Sequence, residues 1–272
     1  MPTEAELVWH EYGAGPTLVL CHGYTGSSLD FVLQVDALAE ETHRRVVTLD
    51  LRGHGQSPQY GDLESYSIQL LADDLIALLD KVGNGPVDLL GHSMGGQVAL
   101  HTVLQRPDLI NSLILMDTSA WSFKQPDEGI AAMVAKAIEK FDPAKGMPKS
   151  MAFESPETAL IAAHVPTEWQ EEKDASVAGM DPYAAKALGM ELLSDGVTSI
   201  RPRLSEIAHT TTVLVGQNDH PLVDQAPDLT AELPNATLTV IEGAYHSPQL
   251  THPDQWRAAI VEHLHLKGTT TE

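Results

Sequence analysis

At 272 residues, 43% of them hydrophobic and 20% charged, the chain can hold one substantial core with room for an inserted subdomain. Its 38 acidic against 16 basic residues give a formal net charge of -22, which disfavours nucleic acids and acidic membrane surfaces as partners. A single cysteine, Cys21, excludes an intrachain disulfide and a cysteine-based metal cluster. No apolar run approaches the roughly 20 residues of a membrane-spanning helix, so no stable membrane insertion is expected.

The chain opens on Met1-Pro2-Thr3-Glu4-Ala5-Glu6, which lacks the basic-then-apolar order of a secretory signal; a cytoplasmic location is expected. Leu7 to Tyr12 reads as a first strand, closed by the turn Gly13-Ala14-Gly15-Pro16. Thr17 to Cys21 is a short apolar run of the kind buried on both faces of a sheet. It ends in the small-residue loop His22-Gly23-Tyr24-Thr25-Gly26-Ser27-Ser28, and Asp30 to Leu38 then has helical spacing. Arg45 to Leu49 is the next strand, followed by Asp50 and the tight loop Arg52-Gly53-His54-Gly55-Gln56-Ser57-Pro58. Tyr66 to Val82 carries Leu70, Leu71, Leu75, Leu78 and Leu79 in an amphipathic pattern, with Asp73 and Asp74 on its wetter side.

The apolar run Val87 to Leu90 enters Gly91-His92-Ser93-Met94-Gly95-Gly96, and an amphipathic helical pattern continues from Gln97 to Leu104. Gly-x-Ser-x-Gly between a strand and a helix is the pattern of a sharp turn that holds its serine strained, with the hydroxyl exposed above the sheet. A Cβ at Gly91 or Gly95 would meet the neighbouring helix or strand. The N–H of Met94, at the helix start, points where a negative oxygen would develop, and the N–H of Tyr24 could face Ser93 from the adjacent strand end.

Arg106-Pro107 stops the elbow helix, and Leu109 to Met116 is another strand ending on an acid, Asp117. From Trp121 to Leu204 the pattern changes to helical candidates (Asp127 to Phe141, Pro156 to His164, Tyr183 to Leu193) broken by prolines, with no convincing strand. Strands resume with Thr210 to Val215, running into Gly216-Gln217-Asn218-Asp219-His220-Pro221. Asp224 to Leu233 is a predicted helix and Ala236 to Ile241 the last strand, leading into Glu242-Gly243-Ala244-Tyr245-His246-Ser247-Pro248. Gln255 to Leu266 is an amphipathic final helix. The alternation predicts an α/β fold: a mostly parallel central sheet with helices on both faces and a helical cap insertion. The division is core over 1–121, cap over 122–204 and core over 205–272. The cap's Met, Trp and Ala content points to an adaptable apolar pocket. Trp121, Met147, Met151, Phe153, Trp169 and Tyr183 are candidate lining residues, although plain core packing is the simpler reading of any one of them.

A serine hydroxyl attacks poorly unless a base takes its proton, and the base needs an acid to fix its tautomer. Ser93, Asp219 and His246 each stand just past a predicted parallel strand, where residues distant in sequence converge. Asp117 also follows a strand and is the competing acid; Asp219 is preferred because it lies immediately before the strand that delivers His246. His22, His54 and His92 read as loop and elbow architecture. No His-x-x-x-His, Cys-x-x-Cys or calcium loop occurs, so no metal and no cofactor are expected.

Taken together, His22-Gly23-Tyr24, Asp50-Leu51-Arg52-Gly53-His54-Gly55-Gln56-Ser57, Gly91-His92-Ser93-Met94-Gly95-Gly96, Gly216-Gln217-Asn218-Asp219 and His246-Ser247-Pro248 resemble the α/β-hydrolase fold superfamily over essentially the whole chain. Within it the chain looks like the lid-bearing branch of esterases, enol-lactonases and carbon-carbon bond hydrolases. The resemblance implies Ser93 as nucleophile, Asp219 as acid and His246 as base, with oxyanion donors from Tyr24 and Met94. Tyr245 replaces the family's usual glycine before the histidine and brings a large side chain near the site. Serine at 93 argues against dehalogenases and epoxide hydrolases, and the short first strands imply a sheet of seven strands instead of eight. The expected substrate is a small-molecule ester or lactone; homodimerisation is left open.

Overall fold

The computed structural model describes residues 4–122, 136–147, 155–193 and 200–266. Among them seven strands form one sheet: β1 (Trp9–Gly13), β2 (Thr17–Cys21), β3 (Arg45–Leu49), β4 (Val87–His92), β5 (Ile110–Met116), β6 (Thr211–Gly216) and β7 (Ala236–Ile241). The order across the sheet is β1-β3-β2-β4-β5-β6-β7. The β1 strand runs antiparallel to β3, and every other neighbouring pair is parallel. The expected seven strands are present.

The central strands β2, β4 and β6 are buried along their whole length because both of their faces are covered. Alternate residues feed two cores. Val19, Val47, Leu89, Leu113 and Val213 pack with helices α2 (Ile68–Val82) and α3 (Met94–Gln105). Leu18, Leu20, Val46, Leu90, Ile114 and Leu214 pack on the opposite face with α1 (Val35–Thr42). Between β5 and β6 the described residues are helical and contain no strand; the regular helices there are α4 (Pro156–His164), α5 (Thr167–Ala178) and α6 (Pro182–Leu193), with a further helical stretch at 136–140. The chain ends with α7 (Leu222–Glu232), α8 (Pro248–Thr251) and α9 (Pro253–Leu266). Trp256 of α9 lies fully buried in the second core, stacked 6.3 Å from Phe31.

Parallel strands end at one edge, so the loops after β2, β4, β5, β6 and β7 gather there. β3 lies on one side of β2 and β4 on the other, a reversal of strand order that opens a crevice at the strand ends. The helices inserted after β5 are tied down over this edge by polar contacts. The Asp181 carboxylate accepts from Tyr60 N (3.0 Å), Gly61 N (2.9 Å) and the Tyr66 hydroxyl (2.5 Å). The Tyr24 hydroxyl donates to the Ala185 carbonyl (2.6 Å), and Trp169 Nε1 donates to the Leu29 carbonyl (2.9 Å). Lys173 pairs with Asp30.

Several expectations need correction. The first helix begins at Val35, because Ser28–Asp30 forms a short 3-10 turn and Asp30 is buried as the partner of Lys173. The first strand starts at Trp9, since Leu7 is drawn into the core instead of pairing in the sheet. The α5 helix did not emerge from the pattern because its one buried residue is Trp169. Asp74 is not on a wet face: it is fully buried, forms an ion pair with Arg52, itself 1% exposed, and accepts from Ala5 N at 2.7 Å. This pair fastens the loop after β3 to α2. Removing one partner of such a pair leaves a buried charge unanswered. Asp74→Ala is therefore expected to lose about 3 kcal/mol or more of unfolding free energy, measured by denaturant titration; a loss under about 1 kcal/mol would mean the pair behaves like a surface one.

Candidate active site

Ser93 caps α3 from the end of β4 with φ 54 and ψ -118, a left-handed conformation that costs a non-glycine residue about 1–3 kcal/mol. Its surroundings hold it there. Ser93 N donates to the Met116 carbonyl (2.9 Å), while its own carbonyl accepts from Gly96 N (2.9 Å) and the Thr118 hydroxyl (2.7 Å). A Cβ on Gly95 would stand 2.5 Å from the carbonyl oxygens of Cys21 and His22, so the helix start can approach β2 only with glycine there. Met94 is the first residue of α3, and its N–H is among those that the helix itself leaves unpaired. Tyr24 follows Gly23 in the loop after β2, alongside the elbow.

The loops after β6 and β7 are joined by backbone hydrogen bonds, Gln217 N to Ile241 O (3.0 Å) and Asn218 N to Ala244 O (2.8 Å). They set the His246 imidazole against Asp219, with Nδ1 donating to Oδ2 at 2.8 Å. This fixes the tautomer and leaves Nε2 as the imidazole's unprotonated nitrogen. Desolvation alone would lower the pKa of His246; the Asp219 carboxylate, aided by Glu157, overcomes it and holds the imidazole above its ordinary value. Burial opposes the charge on Asp219, but His246 and Asp117 keep its carboxyl below the ordinary range. The Ser93 hydroxyl has no hydrogen-bond partner among the described residues; Ser93 and His246 line the same two cavities.

Asp117, the competing acid, lies in this group without being the histidine's partner. Its Oδ1 accepts from Gly216 N (2.8 Å), and its Oδ2 is buried with no partner. Oxygens of Asp117 and Asp219 and a nitrogen of His246 lie within 4.8 Å of one another, the single cluster of metal-ligand spacing among the described residues. Complete burial beside the charged Asp219 pushes Asp117 well above the ordinary carboxylate range.

His92, His22 and His54 are hydrogen-bonded within the elbow and the loops after β2 and β3. His92 Nε2 donates to the His246 carbonyl (2.8 Å), and burial together with the nearby His246 pushes His92 down to about 3. His22 donates from Nδ1 to Gly23 O (2.8 Å) and accepts at Nε2 from Leu51 N (3.0 Å). His54, also pushed down to about 3 by burial, donates to Arg52 O (2.9 Å).

Two cavities meet at Tyr24, Ser93 and His246, of about 450 and 390 Å³. Of the lining residues read from the sequence, Trp169 lies in the larger one. Trp121, Met147 and Tyr183 pack against the main core, and Tyr245 is half-buried with its carbonyl against Gly216; none of the four lines these cavities. Met151 and Phe153 lie outside the described residues. Unforeseen were Lys173 and Gln249, which line the larger cavity, and Glu157, whose carboxylate accepts from Ser247 N at 2.6 Å. Only the proximity of Gln249 to His246 in the chain could have signalled any of them.

A model of the alpha/beta hydrolase fold matches residues 16–253. The chain belongs to the α/β-hydrolase fold family. It is 30% identical over 262 residues to RutD of Pseudomonas syringae, a protein named as a proposed carbamate hydrolase, covering 93% of this chain and 97% of that one. It is 40% identical over 126 residues to the mouse sn-1-specific diacylglycerol lipase ABHD11, a match to 46% of this chain and only 40% of that lipase. The crystal structure of the enol-lactonase from Burkholderia xenovorans superposes with a TM-score of 0.72 at 21% identity, over 96% of each chain; at that identity the likeness is one of fold.

For this α/β-hydrolase-fold chain, the charge environment of His246 is open to direct test. By NMR titration its imidazole is expected to titrate above about 6.5, the ordinary histidine value, and Asp219→Asn is expected to bring it down. An unchanged or higher pKa in the variant would dissociate the histidine from that carboxylate.

Proposed function

We propose that the protein is a serine hydrolase that cleaves a small or medium carboxylic ester or lactone through an acyl-enzyme. The observation that carries this reading is the 2.8 Å bond from His246 Nδ1 to Asp219, beside a left-handed Ser93 that opens onto the same cavities. With Nδ1 committed to the acid, Nε2 takes the proton as the Ser93 oxygen attacks the substrate carbonyl. The negative oxygen so formed is held by the N–H groups of Met94 and Tyr24. His246 returns the proton to the leaving group, and water releases the acyl group by the same route. All these groups come from the chain itself.

Amide-like bonds are a second reading, favoured by the near full-length similarity to RutD. The same triad serves them, with a poorer leaving group that depends more on protonation by His246.

A p-nitrophenyl ester series from acetate to decanoate, run beside lactones and carbamates, tests both readings. The wild type is expected to turn over esters or lactones fastest, and Ser93→Ala to lower kcat by about 10⁴-fold or more. Undiminished turnover by Ser93→Ala, or a folded wild type inert on every ester and lactone, would overturn the ester reading. Carbamates as the preferred substrates would select the second.

A further inference from the structure

The two cavities that share Ser93 and His246 differ in chemistry. The smaller is walled by Gly189, Leu192, Leu193, Pro221 and Leu222. Its acid Asp219 is bound to His246, and its His220 is paired with Asp224. The larger holds polar side chains, most of them already engaged by the protein. Trp169 Nε1 donates to Leu29 O (2.9 Å), Gln170 donates to Val165 O (3.3 Å), and Lys173 is paired with Asp30.

Away from Ser93 and His92 of the elbow, whose hydroxyl and buried Nδ1 also lack partners, Gln249 stands out. It is 1% exposed and lines the larger cavity, yet its Oε1 is completely buried and has no hydrogen-bond partner. Buried amide groups are almost always paired, and one that is not calls for an explanation. The side chain is not loosely placed. α8 is closed by hydrogen bonds from Leu250 N and Thr251 N to Ser247 O and from His252 N to Pro248 O. Leu250 next to it packs with Val165 and Trp169. A leucine or methionine would fill the same volume with no polar atom left over. A half-turn of the side-chain amide exchanges the sealed Oε1 with Nε2, and the glutamine makes sense if the amide turns to present its oxygen to a group entering the cavity.

We infer that the larger cavity is a hydrogen-bonding subsite in which Gln249 receives the polar half of an amphiphilic substrate, a neutral group bearing a hydroxyl or amide N–H, while the smaller cavity takes the hydrocarbon half. This rests on the hydrolase reading for the identity of the ligand as a substrate. An anionic group is disfavoured, because the carboxylates of Asp30 and Asp174 on the cavity wall outnumber the one cation, Lys173. Sites built to bond a hydroxyl or N–H discriminate strongly against analogues that lack it, because the site's own polar group is then stranded.

The test uses matched butanoate and pentyl esters in which a terminal methyl, on the acyl or on the alcohol chain, is replaced by the isosteric hydroxyl. Binding to Ser93→Ala is measured by calorimetry and kcat/KM on the wild type, so that recognition is read separately from turnover. In one of the two pairs the hydroxylated ester is expected to bind, and to react, about 10-fold or more better than its methyl counterpart. Gln249→Leu, or Gln249→Met should the first not fold, is expected to bring that ratio to about one. Equal binding within both pairs, or a preference that survives in the Gln249 variants, overturns the subsite. Preferential binding without turnover of any ester would uphold the subsite and instead refute the hydrolase reading.

Discussion

A serine can occupy φ 54, ψ -118 only where everything around it leaves no alternative. Here β4 must turn straight into α3, and the turn is tight enough that Gly95 packs against the carbonyls at the end of β2. That one backbone constraint fixes the direction of α3, the side of the sheet on which the serine emerges and the place of its neighbours. Met116 at the end of β5 and Thr118 beyond it both bond the elbow's backbone, so the strand beside β4 is part of the same support. The strain is carried at the end of a central strand that is buried along its whole length.

From this elbow the rest of the site follows along the sheet. β5 brings Asp117, β6 brings Asp219 and β7 brings His246, each from the strand next in order. The two acids divide their duties by environment. Asp117 is sealed in, its acidity weakened by burial beside Asp219, and takes a backbone N–H from Gly216, which precedes Asp219 by three residues on the β6 side. Asp219 keeps its charge because the imidazole answers it. The helices after β5 then close over the strand ends, and Glu157, Lys173 and Tyr24 stitch them to the loops that hold the histidine and the elbow.

Much of this was legible in the chain. The ends of β2, β3 and β7 coincide with the apolar runs that announced them, because each is short, bounded by turn residues and either buried or regularly alternating. The Gly-x-Ser-x-Gly turn and the acid and histidine at later strand ends pointed to the candidate site, since parallel topology forces strand ends together. What stayed hidden depends on long-range partners. Periodicity placed Asp74 on a helix but could not supply Arg52, which draws it into the core. α5 is too polar to betray itself, being held by Trp169 and Lys173 rather than by an apolar stripe. Gln249 gave no sign beyond its closeness to His246 in the chain, because an absent hydrogen bond leaves no trace in a sequence.

The central claim is that Ser93 becomes acylated during turnover, and the most direct measurement is an acid quench of the protein early in its reaction with p-nitrophenyl acetate, followed by peptide mass spectrometry. The account predicts an acetyl group on the peptide carrying Ser93, and its accumulation when His246 is replaced by a residue that cannot activate water is expected to be slow or absent. Acetylation confined to other residues, or turnover with no acyl-enzyme at Ser93 at any quench time, would contradict it.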